Sequence, residues 1–168
     1  MDSKLEQLLV KEDFKSLFQY CKERLSVYPD NNEYLFYYAM ALSALGDHDK
    51  ANNTFQKLFK KTGEYFYLIC KSLSEYASGD KKQAEKDLEE SIDNDEDIGD
   101  ILLAFDVARA SEDFNDAQKA LKKAIKLEPK KAADKVEDVF EKLETVKSDD
   151  KIIMVNIMKL LRLLQEEN

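Results

Sequence analysis

Chain breakers are scarce, with two prolines and four glycines in 168 residues. A sheet protein of this length needs many more turn residues, so the shortage points to long helices. Histidine occurs once, at His48, and cysteine twice, at Cys21 and Cys70. One His and two non-adjacent Cys do not compose a typical zinc site, and nothing in the spacing sets either thiol beside His48 as a catalytic pair. No glycine-rich phosphate loop is present. Two cysteines inside helical patterns exclude a disulfide framework and fit a reducing compartment. Long apolar runs are missing as well. The richest, residues 152–164, is broken by Asn156, Lys159 and Arg162, which is too short and too interrupted to span a bilayer. Residues 1–14 are charged throughout and lack the apolar stretch of a secretion signal. The expectation is a soluble, cytoplasmic, non-catalytic chain with no cofactor and no metal.

Positive charge is in deficit. Lys and Arg number 26 against 35 Asp and Glu, a net charge of −9. Such a surface repels phosphate backbones and anionic lipid, so nucleic acid and membranes are poor partners. The one basic run, Lys119, Lys122, Lys123, Lys126, Lys130 and Lys131, falls around an expected helix end, where it complements the helix dipole. The acidic run 93–97 resembles the start of a calcium loop. That loop requires Gly and then Glu where this chain has Ile98 and Ala104, so the run reads as a solvated connection.

What is abundant is Leu, Lys, Glu and Ala, in a chain 43% apolar and 36% charged, the composition of an all-α protein. A turn signal recurs within it: Gly46-Asp47 with Ala51, Gly79-Asp80 with Ala84, and Glu112-Asp113 with Ala117, so that the alanines are spaced by 33 residues. An earlier copy, Glu12-Asp13 with Leu17, precedes Ala51 by 34. Gly46 and Gly79 can adopt the left-handed conformation that ends a helix, and Asp47, Asp80 and Asp113 can cap the next one. The small Ala lets two helices approach closely, and one turn later Phe55, Leu88 and Leu121 continue the same buried face. Pro29 and Pro129 then fall where second helices should stop, and Gly63 serves that purpose between Phe59 and Tyr65.

This pattern resembles the tetratricopeptide repeat family. The second unit supplies Leu35, Tyr38, Ala39, Leu42, Ala51 and Phe55 at the family positions, and the fourth Ile101, Ala104, Phe105, Ala108, Ala117, Leu121, Ala124 and Pro129. The first unit retains Leu17, Cys21 and Pro29. The match covers residues 12–129. The third unit departs from it, because counting back from Gly79 puts Lys71 where an apolar residue belongs. A shifted register, with Phe66, Ile69, Cys70 and Leu73 inside, is preferred, although it leaves two extra residues in the turn.

The resemblance implies an all-α, right-handed solenoid of about five antiparallel hairpins in one domain. Residues 1–30 form a degenerate first hairpin, 31–63, 64–96 and 97–130 the recognisable repeats, and 131–168 an atypical cap. Expected helices cover 2–10, 14–27, 31–45, 48–61, 64–78, 81–94, 97–111, 114–127, 131–147 and 150–166.

In this family the first helix of each hairpin lines a groove that holds a peptide or helix of a protein partner. Transferred residue by residue, the groove consists of Phe36, Tyr37, Met40 and Ser43 in the second unit and Leu102, Leu103, Asp106 and Arg109 in the fourth. The third unit adds Tyr67, Leu68 and Lys71 in the shifted register, or Ile69, Cys70 and Leu73 in the other. The polar clamp that grips chaperone C-termini is absent, since its positions hold Phe36, Tyr37, Met40, Gly99 and Leu103. The resemblance thus implies a non-catalytic adaptor or scaffold. One alternative is a small acidic chaperone for a secreted or aggregation-prone client. Another is self-assembly through the last helix, where Ile153, Ile157, Leu160, Leu161 and Leu164 belong to an apolar surface too wide for one buried stripe. Folding back into the groove, forming a homodimer and docking a partner all remain open for that helix.

Overall fold

The computed structural model describes residues 2–142. Among them are nine α-helices and no strand: α1 Ser3–Val10, α2 Phe14–Val27, α3 Asn32–Ala44, α4 His48–Thr62, α5 Tyr65–Ser78, α6 Lys81–Asn94, α7 Ile98–Ala110, α8 Phe114–Leu127 and α9 Pro129–Lys142. The chain divides into two compact units between Ser91 and Ile92, inside α6. In the first, α1 packs on α2, α2 on α3, α3 on α4 and α4 on α5; in the second, α7 packs on α8 and α8 on α9. None of the described helices is long and apolar enough to cross a membrane. The helix expected over 150–166, with Ile153, Ile157, Leu160, Leu161 and Leu164, lies outside the described residues, as does the end of the one expected over 131–147. Pro129 begins α9 rather than standing ahead of it, because the first turn of a helix has no use for the N–H that proline lacks.

The recurring turn is one motif built four times. At the first glycine, the Gly46 N–H donates to the Ser43 carbonyl (3.0 Å) and the Asp47 N–H to the Leu42 carbonyl (2.9 Å). The same pair of bonds recurs at Gly79-Asp80, Glu112-Asp113 and Glu12-Asp13. This is the Schellman closure, and it requires a positive φ. Gly46 and Gly79 meet that need at 87° and 90°, whereas Glu12 and Glu112 are driven to 52° and 60°. A side chain in that region costs about 1 kcal/mol, so the two glutamates are local concessions to the repeat geometry. Beyond the turn, Asp13, Asp80 and Asp113 cap the next helix by accepting from the N–H groups of Ser16, Gln83 and Asp116. Asp47 departs from the expected pattern: its carboxylate takes the Lys50 ammonium at 2.6 Å and makes no side-chain cap.

The repeated inner positions are buried as their chemistry requires. Ala51, Ala84 and Ala117, then Phe55, Leu88 and Leu121, are all at most 2% exposed. In the first unit, Leu5 and Leu8 of α1 join Leu17, Cys21 and Ala41 in one cluster, while Ala39, Leu42, Ala51 and Phe55 form the next. The start of α1 is tethered by its cap residue. The Asp2 carboxylate accepts from the Tyr20 hydroxyl, from the Lys4 N–H (2.9 Å) and from the Tyr34 hydroxyl (3.2 Å), which together hold its pKa below the usual carboxylate range.

The third hairpin corrects the preferred register. The residues of α5 that match Leu35, Tyr38, Ala39 and Leu42 are Leu68, Lys71, Ser72 and Glu75, and all four are buried. Leu73, which the shifted register would have buried, is 48% exposed, and Phe66 and Cys70 are half-buried. The cause is the turn. Gly79 and Asp80 close onto Tyr76 and Glu75 as Gly46 and Asp47 close onto Ser43 and Leu42, so no room exists for two extra residues. Lys71 therefore enters the interior, where Glu75 of its own helix (2.9 Å) and Asp87 of α6 pair with it.

Candidate functional site

In the first unit, α3 sets Phe36, Met40 and Ser43 on one face at helical spacing, with Tyr37 beside them. All four are half-buried. The Phe36 ring lies 5.2 Å from Phe66, 6.0 Å from Tyr67 and 6.2 Å from Phe55, so it joins α3, α4 and α5. Met40 and Cys70 pack against the same buried cluster as Phe36, and Tyr37 leans on the cluster beneath α1 and α2. These side chains thus divide their area between spacing the helices and facing outward.

The observed register sorts the α5 candidates. Cys70 is half-buried and Leu73 is open, whereas Tyr67, Leu68 and Ile69 are buried. Lys71 is 8% exposed and committed to its two carboxylates, so it offers no charge to a ligand on the outer face. The face that α3 and α5 present is consequently Phe36, Tyr37, Met40, Ser43, Cys70 and Leu73.

In the second unit, α7 places Leu102, Leu103, Asp106 and Arg109 at half-buried positions. Lys135 of α9 binds the Asp106 carboxylate, which removes most of its free charge. The acidic connection also has a structural use. Asp97 caps α7 through the Gly99 N–H (2.7 Å) and the Asp100 N–H (3.1 Å). Asp93 and Glu96 pair with Lys119 (2.8 Å) and Lys123 (3.0 Å) across a cleft of about 420 Å³ that Lys122 and Lys126 also line. Part of the basic run thus bridges to that connection as well as facing the dipole, in partly exposed pairs that hold little energy.

The single histidine has a defined partner. His48 begins α4, and its Nδ1 lies 3.1 Å from the Ser74 hydroxyl. Ser74 is 1% exposed, so this pair satisfies an interior hydroxyl and presents no oxygen to a substrate. Burial pushes the Cys21 thiol up to about 12, which leaves it protonated and a poor nucleophile. Among the described residues no group of His, Cys, Asp and Glu is arranged to hold a metal ion.

Comparison with solved structures decides the fold. The structure titled MamA RS-1 ArsTM double mutant aligns with a TM-score of 0.55 at 18% identity, covering 98% of this chain and 93% of that one. MamA 41-end from Desulfovibrio magneticus RS-1 aligns with a TM-score of 0.55 at 19% identity, covering 98% and 92%. The fold is a tetratricopeptide-like helical repeat. No family model matches the chain, and no curated protein matches it. Within the chain, α5 departs most from its own repeat pattern, since a Lys, a Ser and a Glu occupy three of its four inner positions.

The residues that sequence reasoning missed are Glu75 and Asp87. Their signal was present: an unwanted Lys at 71, an acid one helical turn later and another in the facing helix. Glu12 and Glu112 were likewise legible as left-handed positions from their alignment with Gly46 and Gly79.

Proposed function

We propose that this chain is a non-catalytic protein-interaction module, an adaptor or scaffold that holds a peptide or helix of a protein partner on the first helices of its hairpins. The observation that supports it is the half-buried face of Phe36, Tyr37, Met40, Ser43 and Cys70, extended by the open side chain of Leu73. An apolar strip on rigid, tightly capped helices suits apolar anchors at helical or extended spacing. In the second unit, taken by itself, α7 offers Leu102 and Leu103 as half-buried apolar positions and Arg109 as a cation. The net charge of −9 disfavours nucleic acid as the ligand. Cytoplasmic residence belongs to the same proposal, supported by two free cysteines.

Selection from a random peptide display library tests this reading. Wild type should enrich segments with apolar anchors. Leu73→Glu, which alters only an open position, should lose that enrichment while melting at an unchanged temperature. Failure of the wild type to enrich any segment, or equal enrichment by the variant, would overturn the proposal.

A further inference from the structure

Two buried carboxylates share one buried ammonium between α5 and α6. Lys71, Glu75 and Asp87 are 8%, 3% and 4% exposed, and they occupy positions that the repeat elsewhere fills with apolar or small residues. With every group ionised the cluster has a net charge of −1 in a site that water barely reaches, and uncompensated charge is costly there. Gln83 donates to the Asp87 carboxylate at 2.8 Å, and Lys71 binds both acids, so Asp87 is well provided for. Glu75 is not. Its Oε2 is buried and has no hydrogen-bond partner. A proton on Glu75 would cancel the excess charge and turn that carboxyl into a donor, with Asp87 as an acceptor within reach.

We propose that Lys71, Glu75 and Asp87 form a proton-linked latch that closes α5 onto α6 when Glu75 is protonated and loosens that hairpin when it is not. The groups around Glu75 support it. Lys71 lies one turn back on α5, Asp87 faces it from α6, and α4 contributes His48, which meets the adjacent Ser74 rather than Glu75 itself. Burial pushes the Glu75 carboxyl up from 4.5 to about 7; the Lys71 hydrogen bond opposes this, and the Asp87 charge adds to it. Burial alone would lower Lys71, but its bonds to Asp87 and Glu75 outweigh that and hold it above its ordinary value.

The sign follows from linkage. A folded carboxyl that holds its proton more tightly than the unfolded chain adds no penalty below about pH 4.5. It adds the full penalty above about pH 7, so stability falls as pH rises through that window. Lys71 acts only above its ordinary value of 10.5, outside the window.

The test is urea unfolding of the full chain from about pH 5 to about pH 8.5. Intrinsic tyrosine fluorescence reports the first unit alone, because all eight tyrosines precede Ser91. The wild-type folding constant should fall on the order of 10²-fold across that range. Glu75→Gln, which mimics the protonated form, should flatten the profile, and His48→Asn should leave it intact. A flat wild-type profile, a slope that persists in Glu75→Gln, or one lost in His48→Asn would overturn the latch. Carbon-13 NMR of the Glu75 carboxyl decides the matter even if Glu75→Gln does not fold. A midpoint near 7 supports the latch, and one near 4.5 refutes it.

Discussion

Lys71→Met should destabilise the first unit by about 3–5 kcal/mol at pH 8, the range found when one member of a buried ion pair is removed. Methionine fills the volume well enough, so the loss is electrostatic. Glu75 and Asp87 would remain buried without the ammonium that binds both. The contrasting variant is Lys71→Leu/Glu75→Leu/Asp87→Leu, which restores an apolar interior and should be neutral or up to about 4 kcal/mol more stable than wild type. Urea unfolding followed by tyrosine fluorescence measures both. If the single and triple variants lose the same stability, the cluster acts through packing, and the electrostatic account fails.

Phe55→Ala should cost about 3–5 kcal/mol in the same assay. The ring is 2% exposed and packs with Ala39, Leu42 and Ala51, and Phe36 lies against it at 6.2 Å. Truncation removes that transfer free energy and leaves a cavity that capped helices cannot easily collapse. The effect should extend to Phe36 and so to the outer face of α3. Phe55→Leu, which keeps most of the volume, should recover the larger part of the loss. A cost below about 1 kcal/mol for Phe55→Ala would mean that the α3–α4 interior is far looser than its burial implies.

The helical pattern was legible in the sequence to within a residue or two at most described ends, for a physical reason. The glycine or acid that ends one helix and the Asp that begins the next lie side by side, so one short motif fixes two boundaries at once. The interior of α5 was not legible in the same way, because apolar counting treats Lys71, Ser72 and Glu75 as outward-facing residues. What placed them inside was the turn, whose two backbone hydrogen bonds allow no insertion. Backbone closure overruled side-chain preference, and Asp87 made the result tolerable. The candidate face shifts with the register: Tyr67 and Lys71 are buried and Leu73 is exposed, whereas the α3 residues Phe36, Tyr37, Met40 and Ser43 are half-buried. Asp47 is a smaller case, since sequence cannot tell a cap from a carboxylate already claimed by Lys50.

Photo-cross-linking from the proposed face distinguishes a docking surface from ordinary solvated surface. Leu73 is replaced by photoreactive benzoylphenylalanine, and Glu85, an exposed residue of α6, is replaced in a second protein as the comparison. Position 73 should capture a defined protein partner in native extract, and position 85 should not. Capture from position 85 but not from position 73, or equal capture from both, would contradict a binding face on α3 and α5.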